Sequence, residues 1–430
     1  MKILVVGANG FIGQSITAKL IQDGQDVICA VRDVDSTKRK FPGLHVIHCD
    51  FNTDTTPEQW LPKLQNVDVV INVAGLLTSV GKNKIQNVHV NGPKALFDAC
   101  VLAKVKRVIH ISALGIAEEE TTDYALTKKA ADHYLASLKG IDWLILQPSL
   151  IYASGSYGGT SLFRALASLP YIIPLIGDGS QQFQPIHMDD LTDALLACIK
   201  KKEKIFKTLK VTGPDVVTMK EILIHFRGWL GLSPAKLVKI PLLFIKIGAM
   251  LGDLLGVGPL NSTSYKMMLQ PNVASNEELV AFTGVIPRGF EQGLATEPLT
   301  VQSLWHGRLF FLKPLLKIAL GLFWISSGAI TAFIAPDLGL KTLLSLGISE
   351  QLAHILLYGS CFADIILGVL LLTMQSISFI CALQILLIVT YTVFLSMLSP
   401  TLWLEPLGPL TKNIPMILLT LVLLGIEKDK

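Results

Sequence analysis

A tyrosine and a lysine four residues apart, Tyr124 and Lys128 in the stretch "DYALTKKAADHYL", are the strongest candidates for chemistry in this 430-residue chain. Apolar Ala125, Leu126, Ala131, Tyr134 and Leu135 predict a helix here, and the spacing puts Tyr124 and Lys128 on one face of it. A phenol titrates near ~10 and does little at neutral pH, whereas a cationic neighbour favours the phenolate and lowers that value. The same ammonium could hold a ribose. Ser112 follows the apolar run Val108-Ile109-His110-Ile111, and a hydroxyl at a strand end could bind a carbonyl oxygen. On spacing alone the pair would be two surface residues of an amphipathic helix. The serine-tipped strand upstream is what makes an acid–base reading the better one.

Such residues need a scaffold, and the chain opens with one. Ile3 to Val6 read as a short strand, "GANGFIG" at 7–13 as a turn, and Ile12, Ile16, Leu20 and Ile21 as one face of a helix. Gly7, Gly10 and Gly13 suit a crossing where the chain turns tightly, a pyrophosphate approaches the backbone, and helix packs on strand. The unpaired N–H groups of the helix would then face the phosphates. The spacing is G-x-x-G-x-x-G rather than the strict dinucleotide fingerprint, so a purely structural turn is the competing reading. Further apolar runs at 27–31, 45–49, 67–73 and 108–111, separated by polar or helical segments, predict a doubly wound parallel α/β sheet. After the second strand comes "AVRDVDSTKRK". An acidic residue there would bind the ribose hydroxyls of NAD(H), but Arg32 favours the extra phosphate of NADP(H). Asp33 would serve NAD(H) if that strand ran one residue longer.

The order and spacing of "GANGFIG", "DVVINVAG" at 68–75, "VHVNGPKALFDAC" at 88–100, "VIHISALG" at 108–115, "YALTK" at 124–128, "LQPSLIYASG" at 146–155 and "FQPIHMDDLTDAL" at 183–195 resemble the short-chain dehydrogenase/reductase superfamily. The likeness is to its extended and atypical NmrA-like members, including the 39-kDa-subunit type of complex I, and covers about residues 1–300. It implies a Rossmann-type domain in which Ser112 orients a carbonyl, Tyr124 gives or takes its proton, Lys128 tunes the tyrosine and grips the ribose, and Asn91 holds a relay water. It also implies cofactor contacts at Gly7, Asn9, Gly10, Phe11, Ile12, Gly13, Arg32, Asp50, Ala74, Gly75, Lys128 and Pro148. The short acidic loop "ALGIAEEETTD" departs from the serine-rich loop of many extended members. Several complex I-type relatives hold NADPH without turning it over, so a sensor or assembly role stands beside catalysis. An epimerase or dehydratase that regenerates its cofactor is a third reading.

Composition narrows the field. Hydrophobic residues make up 51% and charged residues 16%, too apolar for an ordinary soluble enzyme. A net charge of +4, with no basic stripe interleaved with aromatics, argues against a nucleic-acid partner. The six cysteines form no CxxC or ligand spacing, and His187, Asp189 and Asp190 read as a helix start rather than a metal site. The four apolar residues before Gly7 are too few for an export signal, so the first domain is expected in the cytoplasm. A smaller substrate region is expected mainly from about 150–180 and 205–300. Within it, the apolar stretch 237–260, interrupted by Lys239, Lys246 and Asp253, could cover a lipid-like substrate, rest on a membrane surface or pack in a core.

From Ile318 to Ile426 only Asp337, Lys341, Glu350, Asp364, Glu405 and Lys412 are charged. Residues 301–430 therefore read as a four-helix transmembrane domain, with spans near 311–335, 352–374, 376–398 and 407–426. In layout this region resembles the DoxX-like membrane domains. Arg308, Lys313, Lys317, Lys428 and Lys430 fall on one side and Lys341 and Lys412 on the other, which predicts an inner-membrane protein with both termini in the cytoplasm. Asp364 falls mid-span, where a charge implies a functional or bundle-facing role. The sequence leaves the oligomeric state open.

Overall fold

The computed structural model describes residues 1–79, 81, 83–115, 122–155, 159–255, 261–374, 376–405 and 408–427, without the side chains of residues 159, 251, 254 and 255. Most of the acidic loop before Tyr124, the start of the fourth predicted span, and Lys428 and Lys430 lie outside the described residues. The chain divides into two compact units, Met1–Gly307 and Arg308–Lys430.

The first unit is built on strands β1 (Lys2–Val6), β2 (Asp26–Val31), β3 (His45–His48), β4 (Val69–Asn72), β5 (Arg107–Ile111), β6 (Asp142–Pro148) and β7 (Phe206–Val211). Every pairing in this sheet is parallel, in the order β7-β6-β5-β4-β1-β2-β3. Apolar residues at consecutive positions serve both faces, since each must be covered. Ile3 and Val5 of β1 enter one core beside Ile16 and Leu20 of helix α1 (Phe11–Gln22). Leu4 and Val6 enter the other, beside Leu96 and Phe97 of helix α3 (Gly92–Leu102). Helix α2 (Val34–Lys40) joins β2 to β3, and helix α4 (Asp123–Ser137) joins β5 to β6. The chain leaves β1 for β2 and β3 on one side and returns to β4 on the other. The order thus reverses at β1, opening a crevice beyond the carboxyl ends of β1 and β4.

The segment at His187 is a helix start. Helix α5 (Met188–Lys200) is capped by His187, whose Nδ1 accepts from Asp189 N at 3.2 Å. Asp190 accepts from the backbone N and Nε of Arg288, both at 2.9 Å.

The second unit is a helix bundle. Helix α7 (Val301–Ala329) begins before the unit boundary and continues through the wider turn Ile330–Ile334. Together with helices α8 (Glu350–Thr373) and α9 (Ser378–Leu398) it is long and apolar enough to cross a membrane. Helix α10 (Asn413–Ile426) is apolar but has only 14 residues, about 21 Å at 1.5 Å per residue. That is less than the roughly 30 Å hydrocarbon layer, so three of the four expected spans meet the length on their own. The polar contacts still carry α10 between the two ends of the bundle. Asn413 Nδ2 donates to Thr392 Oγ1 on α9 at 2.7 Å, and beyond its last turn Glu427 pairs with Lys313 at 2.8 Å. Lys317 Nζ donates to Met374 O, just past α8, at 3.1 Å, which puts Lys313, Lys317 and Glu427 at one end. Glycines let α7 and α8 touch. A Cβ on Gly368 would stand 2.7 Å from Gly321 O, and one on Gly328 2.4 Å from Cys361 O. Asp364 faces a neighbouring helix, its Oδ1 accepting from Tyr391 Oη at 3.3 Å.

Candidate cofactor cleft and catalytic residues

The crevice at the reversal of strand order holds a cavity of about 190 Å³ lined by Gly7, Asn9, Gly10, Arg32, Asp50, Ala74 and Gly75 among others. Gly7 has φ +84°, and a Cβ there would lie 3.0 Å from Ala74 N; a Cβ on Gly13 would lie 2.1 Å from Gly7 O. Two of the three glycines therefore hold the turn by steric necessity. Gly10 caps α1 without a side-chain hydrogen bond, and the first turn carries no acid. A helix start without a side-chain cap or an acid suits an anion such as the pyrophosphate of a dinucleotide. Phe11 and Ile12, partly buried, pack against the core behind the turn, and they are not among the described lining residues. Gly13 allows the close approach of α1 to the turn, and Pro148 is buried at the end of β6, where its carbonyl accepts from Leu114 N at 2.8 Å.

Arg32 stands just past β2 and donates to Asn83 Oδ1. Asp33 does not extend the strand. It is the N-cap of α2, accepting from Ser36 N at 2.9 Å, so its carboxylate is engaged in the fold. Asp50, after β3, accepts from Asn52 N at 2.9 Å and Asn52 Nδ2 at 2.8 Å, while Asn52 Nδ2 also reaches Asn83 Oδ1 at 3.2 Å. The mouth of the cleft is thus a linked set of polar side chains.

Lys128 and His89 stand at Gly75 of this cleft and Tyr124 packs against His89, while Ser112, just after β5, is joined to Asp132 on the same helix as Tyr124 and Lys128. Lys128 is buried, donates to Ile111 O at 3.0 Å, and lies 3.4 Å from where a Cβ on Gly75 would stand. Burial pulls its ammonium down to about 8, against the opposing pull of Asp132. The Tyr124 phenol is not lowered as expected. Its packed surroundings, and next the Asp132 carboxylate, push it up to about 12. The physical reason is that desolvation of the phenolate dominates, while the Lys128 ammonium is turned to the Ile111 carbonyl. Tyr124 therefore rests as a proton donor.

The expected place of Asn91 is corrected. It is exposed and donates to Asn87 Oδ1 at 2.8 Å, whereas His89, two residues earlier, faces the site. The rings of His89 and Tyr124 meet edge-on with centroids 5.5 Å apart. His89 Nε2 accepts from Leu76 N at 2.9 Å, so its proton sits on Nδ1 and is directed to Thr127 Oγ1 at 2.9 Å. Burial, and then Lys128, lower its pKa to about 3. His89 is neutral and ties the cofactor loop to α4. In the sequence it was masked by a run of apolar neighbours in "NVHVNG", and only the wide helical turn Asn87–Asn91 aims it inward.

A second group, also unforeseen, lies behind the serine. Ser112 Oγ donates to buried Asp132 Oδ2 at 2.8 Å, and Gln147 Nε2 donates to the same oxygen at 3.0 Å. His110 Nε2 stands 3.6 Å from Asp132 Oδ1. Asn72 Oδ1 accepts from Ala74 N at 3.2 Å, which turns Asn72 Nδ2 towards His110 Nδ1, also at 3.2 Å. The His110 proton is then on Nε2, pointing at Asp132. Burial raises the Asp132 carboxyl and lowers His110 well below its ordinary range. These buried polar groups reach from the cofactor loop to Ser112, with His110 Nε2 and Asp132 Oδ1 facing each other beyond hydrogen-bond distance.

Comparison with known proteins agrees with this geometry. Residues 3–211 match the NAD dependent epimerase/dehydratase family, and residues 321–421 the DoxX-like family. Among curated relatives, a ceramide reductase of Caulobacter vibrioides is 25% identical over 240 residues, covering 56% of this chain and 73% of that protein. NADH dehydrogenase [ubiquinone] 1 alpha subcomplex subunit 9 of Mus musculus is 24% identical over 317 residues, covering 70% and 78%. Among solved structures, the Thermus thermophilus UDP-glucose 4-epimerase complex with NAD superposes with a TM-score of 0.53 at 20% identity, covering 72% of this chain and 99% of that one. MoeE5 with UDP-glucuronic acid and NAD gives 0.54 at 20%, covering 69% and 97%. These last two share the fold. The chain joins an N-terminal nucleotide-binding domain of the NAD-dependent epimerase/dehydratase type to a C-terminal DoxX-like membrane domain.

Proposed function

We propose that this protein is a membrane-tethered oxidoreductase that uses NADP(H) to interconvert a carbonyl and a hydroxyl group on a hydrophobic substrate, with its nucleotide domain in the cytoplasm. The observation that carries the reading is that Lys128 and His89, whose ring meets Tyr124, stand beside Gly75 of the cofactor cleft, with Ser112 joined to Asp132 on the helix that bears Tyr124 and Lys128. When bound, the dinucleotide supplies or accepts hydride. The glycine turn and the open N-terminus of α1 hold its phosphates, and Lys128 its ribose. Protonated Tyr124 donates to the developing alkoxide, and Ser112 orients the oxygen. The choice of NADP(H) rests on Arg32 in the cleft and on Asp33 being occupied as a helix cap. One observation favours the alternative of cofactor binding without turnover: the Ser112 proton already belongs to Asp132.

A panel of long-chain ketones and alcohols in detergent, read by nicotinamide absorbance, tests the proposal together with calorimetric titration of both cofactors. Tyr124→Phe should lose turnover by a factor of roughly 100 or more and keep its cofactor affinity. Arg32→Ala should erase most of an approximately tenfold or larger preference for NADP(H). Equal affinity of the unmodified protein for both cofactors would refute the NADP(H) assignment, and full activity of Tyr124→Phe the catalytic one.

A further inference from the structure

Helix α6 (Leu242–Leu255), in the nucleotide-binding unit, is built inside out. Its described side chains divide by helical position. Ile245, Gly248, Ala249 and Gly252 lie on one face, with Ala249 buried and the others partly so. The opposite face carries Leu243, Phe244, Ile247 and Met250, which are 64%, 64%, 46% and 58% exposed. A helix on a soluble domain does the reverse, burying its large apolar residues and exposing its polar ones. Here the small residues seat the helix and the large ones are presented outward, a contiguous apolar stripe of the kind that marks an interaction site.

Charge indicates what covers it. Exposed Lys246 stands at the flank of the stripe, and exposed Lys236 and Lys239 lie on the strand Lys236–Ile240 that leads into the helix. Neither Lys236 nor Lys246 has an ion pair among the described residues, while Lys239 has the Asp178 carboxylate nearby. Large apolar side chains flanked by unpaired lysines match the boundary between acyl chains and anionic headgroups. The same chain carries three helices apolar and long enough to span a membrane, so a bilayer is present at high effective concentration. A second copy of this face would set Lys246 and its neighbours against like charge, which disfavours self-association. We infer that α6 lies in the interfacial zone of the bilayer that the C-terminal spans occupy, with Leu243, Phe244, Ile247 and Met250 among the upper acyl chains and the lysines at anionic headgroups. The inference rests on membrane association and not on the catalytic reading.

The full-length protein in nanodiscs tests it. All six native cysteines are buried, so a nitroxide can be placed selectively at Phe244→Cys or Ile247→Cys. Ile224→Cys, at an exposed position on the helix Met219–Trp229, serves as the water-facing control. In discs of phosphatidylcholine and phosphatidylglycerol, the ratio of oxygen to nickel-chelate collisions at 244 and 247 should exceed that at 224 by about threefold or more. Lys246→Glu should reduce that excess. Nickel accessibility at both sites equal to that at 224 would overturn the inference, as would spin–spin broadening from a singly labelled protein, which would assign the stripe to a second copy. Cofactor titration of each labelled variant, compared with the unmodified protein, checks that the unit is folded and keeps this result separate from any failure of the catalytic proposal.

Discussion

Lys128 and Asp132 share one buried pocket, and each makes the other's charge affordable only in part. Lys128 titrates at about 8 in the folded protein, against 10.5 for an exposed lysine. Between those values the unfolded chain holds a proton that the folded one lacks, so stability rises with pH across that window and the cost is fully present below about pH 8. In cofactor-free protein, Lys128→Met should therefore be the more stable form at pH 7, by up to roughly 3 kcal/mol, with the gap closing towards pH 10.5. Chemical denaturation at a series of pH values measures this, and a gap independent of pH would show that the lysine is fully charged in the fold. Asp132 is the hub for Ser112, Gln147 and His110. Removing it in Asp132→Ala strands buried polar groups and should cost about 1–3 kcal/mol. Asp132→Asn, which keeps acceptor oxygen and shape, should cost less by thermal denaturation.

At the level of elements, glycines decide which helices and turns can meet. In the bundle, Gly368 of α8 approaches the backbone of α7 so closely that a Cβ would stand 2.7 Å from Gly321 O and 2.9 Å from Ile325 N. The contact is with backbone, which cannot rotate aside, and small residues at such crossings let membrane helices gain packing that lipid does not supply. Gly368→Leu should separate α7 from α8 and lower the bundle's resistance to mixed-detergent unfolding. Gly359→Leu on the same helix, where a Cβ would meet nothing within 4 Å, should leave it unchanged. Equal loss in both variants would mean that side-chain volume anywhere on α8 is harmful and that the crossing is not special.

For the whole molecule, the crossing number follows from where α10 ends. Glu427 returns to Lys313 near the beginning of the first span, which implies an even number of passages although α10 is short. Arg308, Lys313 and Lys317 precede or open that span, while Lys341 and Lys412 fall in the opposite connections, a bias from which the positive-inside rule predicts the former on the cytoplasmic side. A reporter fused after residue 430 should therefore read as cytoplasmic and one inserted within 337–350 as periplasmic. A periplasmic C-terminus would withdraw α10 as a crossing.

Periodicity and order were enough for the parallel sheet, the glycine turn, the helix carrying Tyr124 and Lys128, and the apolar helices, because each depends on patterns a few residues long. The positions of Ser112 and Arg32 just past strand ends, and of Tyr124 and Lys128 on one helix, were readable for the same reason, since each follows from local pattern. Three things depended on contacts across the fold. His89 rather than Asn91 faces the site because a wide turn rotates the helix by a residue. Tyr124 is raised rather than lowered because the fold packs it among groups such as His89 and near Asp132, while β5 lends Lys128 a backbone carbonyl. Asp33 starts the next helix as its N-cap because β2 ends at Val31. A side chain's type is written in the chain, but its direction, its solvent and its charge are set by neighbours that only folding brings within a few ångströms.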